Sequence, residues 1–180
     1  ILKNACREIT WRSRGFRPTD NQILVTSGAN IQLYLAVMCL INPGDEIIIA
    51  NPSFVSYSSI IKSCRGVPVE IALSEKDSFR MNPDLVKRSI TKKTKAIIIN
   101  SPHNPTGSVL TEDHVRRLYE IAEEHDLILI SDEVYGRMIF SDSSSGFHSP
   151  SSYDHCLKRT LLVHSLSKTY AMTGWRIGAV

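Results

Sequence analysis

The sequence predicts an α/β fold, a three-layer αβα sandwich built around a mostly parallel seven-stranded sheet. Three observations carry this. Seven short apolar runs recur along the chain, at 23–26, 46–50, 67–73, 96–100, 127–131, 160–164 and 175–180. They contain stretches such as Ile-Ile-Ile and Leu-Ile-Leu-Ile without polar alternation, which suits strands buried on both faces of a parallel sheet. Helical patterns lie between most of them, and strands alternating with helices imply right-handed crossovers.

The elements follow in order. Ile1, Leu2, Ala5 and Ile9 sit at helical spacing, so the chain opens inside an amphipathic helix. After the first strand, residues 30–41 carry Ile31, Leu33, Tyr34, Leu35, Val37 and Met38 and stop at Asn42-Pro43-Gly44. Residues 53–64 place Phe54, Tyr57, Ile60, Ile61 and Cys64 on a helical period, with Gly66 expected to end the helix. Asn82-Pro83 caps and opens a short helix, with proline at its first position. Thr111 precedes a helix with Glu112 and Asp113 in its first turn and Val115, Leu118, Tyr119 and Ala122 on one side. The stretch 141–152 is serine-rich and reads as a surface loop. Only a short Ser/Lys/Thr/Gly segment separates the last two apolar runs. It is too short for a helical crossover, so the final strand is expected to be antiparallel.

Composition narrows the function classes. The 180 residues fit one domain, and 42% hydrophobic with 22% charged is ordinary for a soluble globular protein. The formal net charge is +3, with basic residues scattered apart from Lys92-Lys93-Thr94-Lys95 and Arg116-Arg117. No nucleic-acid module accompanies them, so they read as solvated surface. Cys6, Cys39, Cys64 and Cys156 show neither CxxC spacing nor a nearby histidine pair, which argues against a zinc site or disulfide framework. Cys39, inside an apolar helical stretch, reads as core. No apolar run approaches a membrane span, and a cytoplasmic location is the default reading. The chain begins at Ile1 inside a helix and ends at Val180 inside a strand, so it reads as part of a longer protein.

Ligands of such sheets gather beyond the carboxyl ends of the strands, and the unusual residue clusters fall there. Ser27-Gly28-Ala29 follows the first strand, and Ser101-Pro102-His103-Asn104-Pro105-Thr106-Gly107 the fourth. Asp132-Glu133-Val134-Tyr135 follows the fifth, and Ser165-Leu166-Ser167-Lys168 the sixth. There is no G-x-G-x-x-G and no G-x-x-x-x-G-K-[ST], so neither a dinucleotide fold nor a P-loop is supported. The six histidines form no catalytic constellation, and His103 reads as a turn residue.

The strings SGAN, NPSFVSY, NSPHNPTG, SDEVY and HSLSKTYAMTGWRIG, in that order, resemble the class I/II aminotransferases of the pyridoxal-phosphate-dependent transferase fold, with aspartate and aromatic aminotransferases the nearest type. The resemblance runs from about Thr19 to the end. It implies pyridoxal 5'-phosphate as cofactor, an amino acid and a 2-oxo acid as substrates, and a homodimer in the full-length protein, with no nucleic acid, membrane or metal involved. Lys168 is then the lysine that forms a Schiff base with the cofactor. An amine reacts this way only when deprotonated, so a partly desolvated site or a neighbouring positive charge is expected. Asp132 resembles the carboxylate that pairs with the pyridine nitrogen and keeps it protonated. Glu133 is the poorer partner, because adjacent residues at a strand end point in opposite directions.

Asn104 and Tyr135 resemble the pair that hydrogen-bonds the phenolic oxygen, with Pro105 and Gly107 shaping the turn that presents Asn104. Phe54 stands where the family stacks an aromatic ring on the cofactor; as a helix residue it reads almost as readily as core, and Tyr57 reads as core. For the phosphate, Gly28 and Ala29 open a helix whose free amides attract anions. Asn30 is the family's less regular contributor there, Ser165 offers a hydroxyl, and Arg176 offers a bidentate guanidinium. The resemblance makes residues 1–180 the cofactor-binding large domain, without the N-terminal segment, the C-terminal small domain or the arginine that clamps a substrate carboxylate. Related carbon–sulfur lyases, cyclopropane-carboxylate synthases and the aminotransferase-like domains of transcription regulators share these motifs and stay open as alternatives at this level.

Overall fold

The computed structural model of the chain describes residues 1–14, 17–140, 146–155 and 158–179. Cys156, Val180 and part of the serine-rich stretch therefore lie outside the described residues. Seven strands form one sheet: β1 Val25–Thr26, β2 Glu46–Asn51, β3 Val67–Ala72, β4 Thr94–Asn100, β5 Ile128–Asp132, β6 Thr160–Ser165 and β7 Gly178–Ala179. Their spatial order is β1-β7-β6-β5-β4-β2-β3. β2 through β6 pair in parallel, while β7 runs antiparallel to both β1 and β6. The expected antiparallel final strand is present. β1 and β7 are only two residues long, shorter than their apolar runs suggest, because they touch each other over just two residue pairs.

The helices are α1 Leu2–Arg14, α2 Ala29–Leu40, α3 Ser56–Ser63, α4 Pro83–Ser89, α5 Glu112–Glu124 and the single turn α6 Leu166–Thr169. They cover both sheet faces, and the strands sort their side chains accordingly. Ile47, Ile49, Ala96, Ile98, Ile130 and Val163 pack with Leu33 and Val37 of α2 and with Tyr57 and Ile61 of α3. Ile48, Ala50, Ile97, Ile99 and Leu129 pack with Val86 of α4 and with Val115, Leu118, Tyr119 and Ala122 of α5. This is the period-two alternation of a strand buried on both sides. The predicted caps are made: Asn82 accepts from the Asp84 and Leu85 amides, and Thr111 accepts from the His114 amide.

Two local expectations need correction. The helix expected over 53–64 starts at Ser56 and ends at Ser63, because residues 52–55 carry the chain off β2. Arg65, not Gly66, takes the left-handed conformation that ends it, at φ 62°. Gly66 answers a different demand: a Cβ there would collide with Ile41 Cδ1. Cys39 is exposed, not core. α2 is apolar on nearly every side, so periodicity could not say which side faces inward. Gln32 marks the buried side. Its Nε2 donates to the His164 carbonyl at 2.9 Å and ties α2 to β6, leaving Ile31, Tyr34 and Met38 facing outward.

Candidate active site

The alternation along the strands decides which polar residues meet at the carboxyl rim. Asp132 ends β5 in phase with Ile130, so its side chain enters the α2/α3 face. Asn100 ends β4 in phase with Ile98 and sits opposite Asp132 in the register. Asp132 is 6% exposed. Its Oδ2 accepts from the Tyr57 hydroxyl at 2.6 Å, and its Oδ1 accepts from the Val134 amide at 3.2 Å. Burial pushes this carboxyl above the usual carboxylate range, and the two donors offset that only in part. The same burial, with Asp132 beside it, holds the Tyr57 phenol well above its ordinary value, so Tyr57 remains a donor.

Glu133 leaves on the other face. It is buried too, accepting from Ser131 Oγ at 3.0 Å and Ser149 Oγ at 2.5 Å, with His164 Nε2 3.7 Å away. The two neighbouring carboxylates therefore serve separate environments, as strand geometry requires.

Asn100 holds the rim together. Its Nδ2 donates to the Asp132 carbonyl at 3.0 Å, and its Oδ1 accepts from the Asn104 amide at 2.8 Å. The Asn104 loop is closed by the Gly107 amide donating to the His103 carbonyl at 2.7 Å, with Gly107 at φ 75°. His103 is a buried turn residue, its Nδ1 2.8 Å from Thr106 Oγ1. Asn100 was visible in the sequence as a lone amide closing an apolar strand, but its clamping role depends on β5, which lies a long way along the chain.

Beyond β6, Ser165 caps α6, accepting from the Ser167 amide and donating to the Ile177 carbonyl at 3.3 Å. Lys168 lies on that turn with Nζ 5.8 Å from the centroid of the Tyr135 ring. Its side chain is exposed, so the described residues alone do not supply the expected desolvation. At the β1 edge of the rim, one strand beyond β6 and β7, Gly28 precedes α2 with φ 85° and is buried. A Cβ at that position would collide with the Arg176 guanidinium. A glycine is thus required on two counts, and the amides opening α2 lie beside an arginine, which is the composition of an anion cradle. Asn30 is exposed at the same end, its Nδ2 3.4 Å from Ser56 Oγ. Phe54 is half-buried, edge-on to Tyr57 at 5.7 Å between centroids and 74° between planes.

The structure brings Gly28, Ala29, Asn30 and Arg176 together at one end of the rim, and Asn104, Asp132, Tyr135 and Lys168 along it, with Phe54 on α3's approach. The set offers an anion cradle, a buried acceptor carboxylate, an aromatic ring and a primary amine, and these suit a phosphorylated aromatic aldehyde. A mostly apolar cavity of about 250 Å³ also opens between α1 and β6/β7. It is lined by Ile9, Leu162 and His164 among others, and of the site residues expected from the sequence it includes only Ser165.

The profile of the family described as aminotransferase class I and II matches residues 6–180. The chain belongs to that family. As an aminotransferase-family chain it is 44% identical over 161 residues to the aspartate aminotransferase of Pyrococcus abyssi, covering 89% of this chain and 41% of that protein. It is 42% identical over 180 residues to an arginine–pyruvate transaminase of Pseudomonas aeruginosa, covering 99% and 45%. Its fold superposes on the crystal structure of an aromatic aminotransferase from Pyrococcus horikoshii with a TM-score of 0.94 and 41% identity, covering 99% of this chain and 48% of that one. The chain thus spans less than half the length of these relatives.

Proposed function

We propose that residues 1–180 form the cofactor-binding large domain of a pyridoxal-phosphate-dependent aminotransferase that moves an amino group between an amino acid and a 2-oxo acid. The observation that carries the reading is the buried Asp132 carboxylate, set on the same rim as the Gly28/Arg176 cradle and the Lys168 amine. Bound pyridoxal phosphate supplies an aldehyde that condenses with amines and a ring that withdraws electrons when its nitrogen is protonated. Asp132 would hold that proton on the nitrogen. Asn104 and Tyr135 would hydrogen-bond the phenolic oxygen, and Phe54 would flank the ring. The Gly28 amide donates to the Thr26 carbonyl at 2.9 Å, so the Ala29 and Asn30 amides that this glycine turn presents, with Ser165 and Arg176, would hold the phosphate. Lys168 would tether the cofactor through its amine, and as a free amine it would be the group that moves a proton at the substrate α-carbon.

The exposed apolar face of α2, formed by Ile31, Tyr34 and Met38, supports a homodimer in which this face is covered. No helix among the described residues is long and apolar enough to cross a membrane, which is compatible with a cytoplasmic enzyme. The test is a stopped-flow half-reaction of the complete polypeptide, loaded with pyridoxal phosphate, against a panel of amino acids. Amino acids should convert the bound cofactor's absorbance and 2-oxo acids should restore it, with ping-pong kinetics overall. A cofactor-loaded protein whose absorbance no amino acid changes would contradict the reading.

A further inference from the structure

We propose that Tyr57 is a positioning residue of this site, holding the Asp132 carboxylate so that the proton shared with the cofactor's ring nitrogen stays on the nitrogen. The inference rests on the pyridoxal-phosphate reading above and extends it to the last residue of the Asn51–Tyr57 string, which the sequence assigns only to the core.

The geometry is specific. Tyr57 is 3% exposed, and its hydroxyl donates to Asp132 Oδ2 at 2.6 Å across 75 positions of sequence. Its ring packs in the α2/α3 core among Ile61, Ile49 and Ile130, a task that phenylalanine would perform equally well. The hydroxyl is therefore not needed for packing, and a buried hydroxyl without a partner would cost stability. Here it is satisfied by an acceptor that can be ionised, the arrangement that makes a hydrogen bond short and strong. The titratable groups acting on Asp132 are Tyr57 from α3 and the adjacent Glu133, and Tyr135 after β5 acts on Tyr57 in turn. None of them is a cation, so hydrogen-bond donors must stabilise the negative charge. Tyr57 is the side-chain donor and the Val134 amide the backbone one.

Removing the Tyr57 donor makes Asp132 more basic. The shared proton then moves toward the carboxylate, and the ring nitrogen loses positive charge. Phe54 stands three residues before Tyr57 and edge-on to it. One turn of chain thus places both the ring-flanking residue and the carboxylate's donor.

The experiment compares Tyr57→Phe with wild type in the complete polypeptide, by pyridoxal-phosphate dissociation constant, by the pH dependence of the bound cofactor's absorption, and by thermal midpoint without cofactor. Tyr57→Phe should weaken cofactor binding by about ten- to a hundredfold and move the absorption midpoint to higher pH. In an Asp132→Asn background the same change should have no further effect on binding. If Tyr57→Phe does not fold, 3-fluorotyrosine at position 57 keeps the shape and strengthens the donor, and the midpoint should then move to lower pH. Binding within twofold of wild type with an unmoved midpoint, or an effect that simply adds to that of Asp132→Asn, would overturn the inference. Failure of the wild type itself to bind pyridoxal phosphate would instead remove the functional reading on which it rests.

Discussion

Asp132 and Glu133 leave the end of β5 on opposite faces, one toward Tyr57 and the other toward Ser149 and His164. Their separation was legible in the sequence, because alternation along a strand is a geometric necessity. The donor to Asp132 was not. Helical spacing sees only the ring of Tyr57, and the ring is indeed core; the hydroxyl's partner arrives from another strand. Asp132→Asn in the complete polypeptide, compared at saturating cofactor because its binding is also weakened, should slow the half-reaction by a few hundredfold, about 3–4 kcal/mol, since a neutral amide cannot hold the ring proton. Stopped-flow kinetics check this, and near-normal rates would remove Asp132 from its role.

Asp154 gives a second test at this scale. Burial acts to raise its pKa, but the Lys158, Arg159 and Thr160 amides, at 3.2, 2.9 and 2.8 Å, more than offset that, and the net shift is downward. A carboxylate lowered on folding contributes stability above its unfolded pKa of about 3.9, and that contribution is lost as pH falls through the folded value. Asp154→Asn, which cannot accept on both oxygens, should cost about 1–3 kcal/mol at neutral pH. The difference from wild type should shrink below about pH 4 in denaturant titrations.

At the scale of elements, α2 combines an anion cradle at its start with a fold contact through Gln32. The Ser-Gly-Ala string disclosed the cradle, since glycine before a helix is a familiar anion signal. What the string could not disclose is that Arg176, far along the chain, occupies the space a side chain at position 28 would need. Gly28→Ala should therefore weaken pyridoxal-phosphate binding at least tenfold, through both the displaced guanidinium and the left-handed backbone. Equilibrium titration measures it, and unchanged affinity would place the phosphate elsewhere. The exposure of Cys39 was hidden for a related reason. A helix apolar all round carries no phase, so its rotation is set by tertiary contacts, the packing of Leu33 and Val37 and the hydrogen bond of Gln32 to β6. Strand order was open in the same way: the apolar runs announced seven strands, whereas β1 reaches the rim only by pairing with β7 at the far end of the chain.

For the whole molecule, the exposed α2 face bears on assembly. Tyr34→Glu combined with Met38→Glu in the complete polypeptide should shift a dimer toward monomer in sedimentation velocity, and an unchanged dimer would place the interface elsewhere. The central claim is that this rim holds pyridoxal phosphate through Lys168. Its most direct test is borohydride reduction of the cofactor-loaded protein, followed by peptide mapping. A single stable label is expected on the peptide containing Lys168, and it should be lost in Lys168→Ala. A label on any other lysine, or an undiminished label in that variant, would contradict the claim.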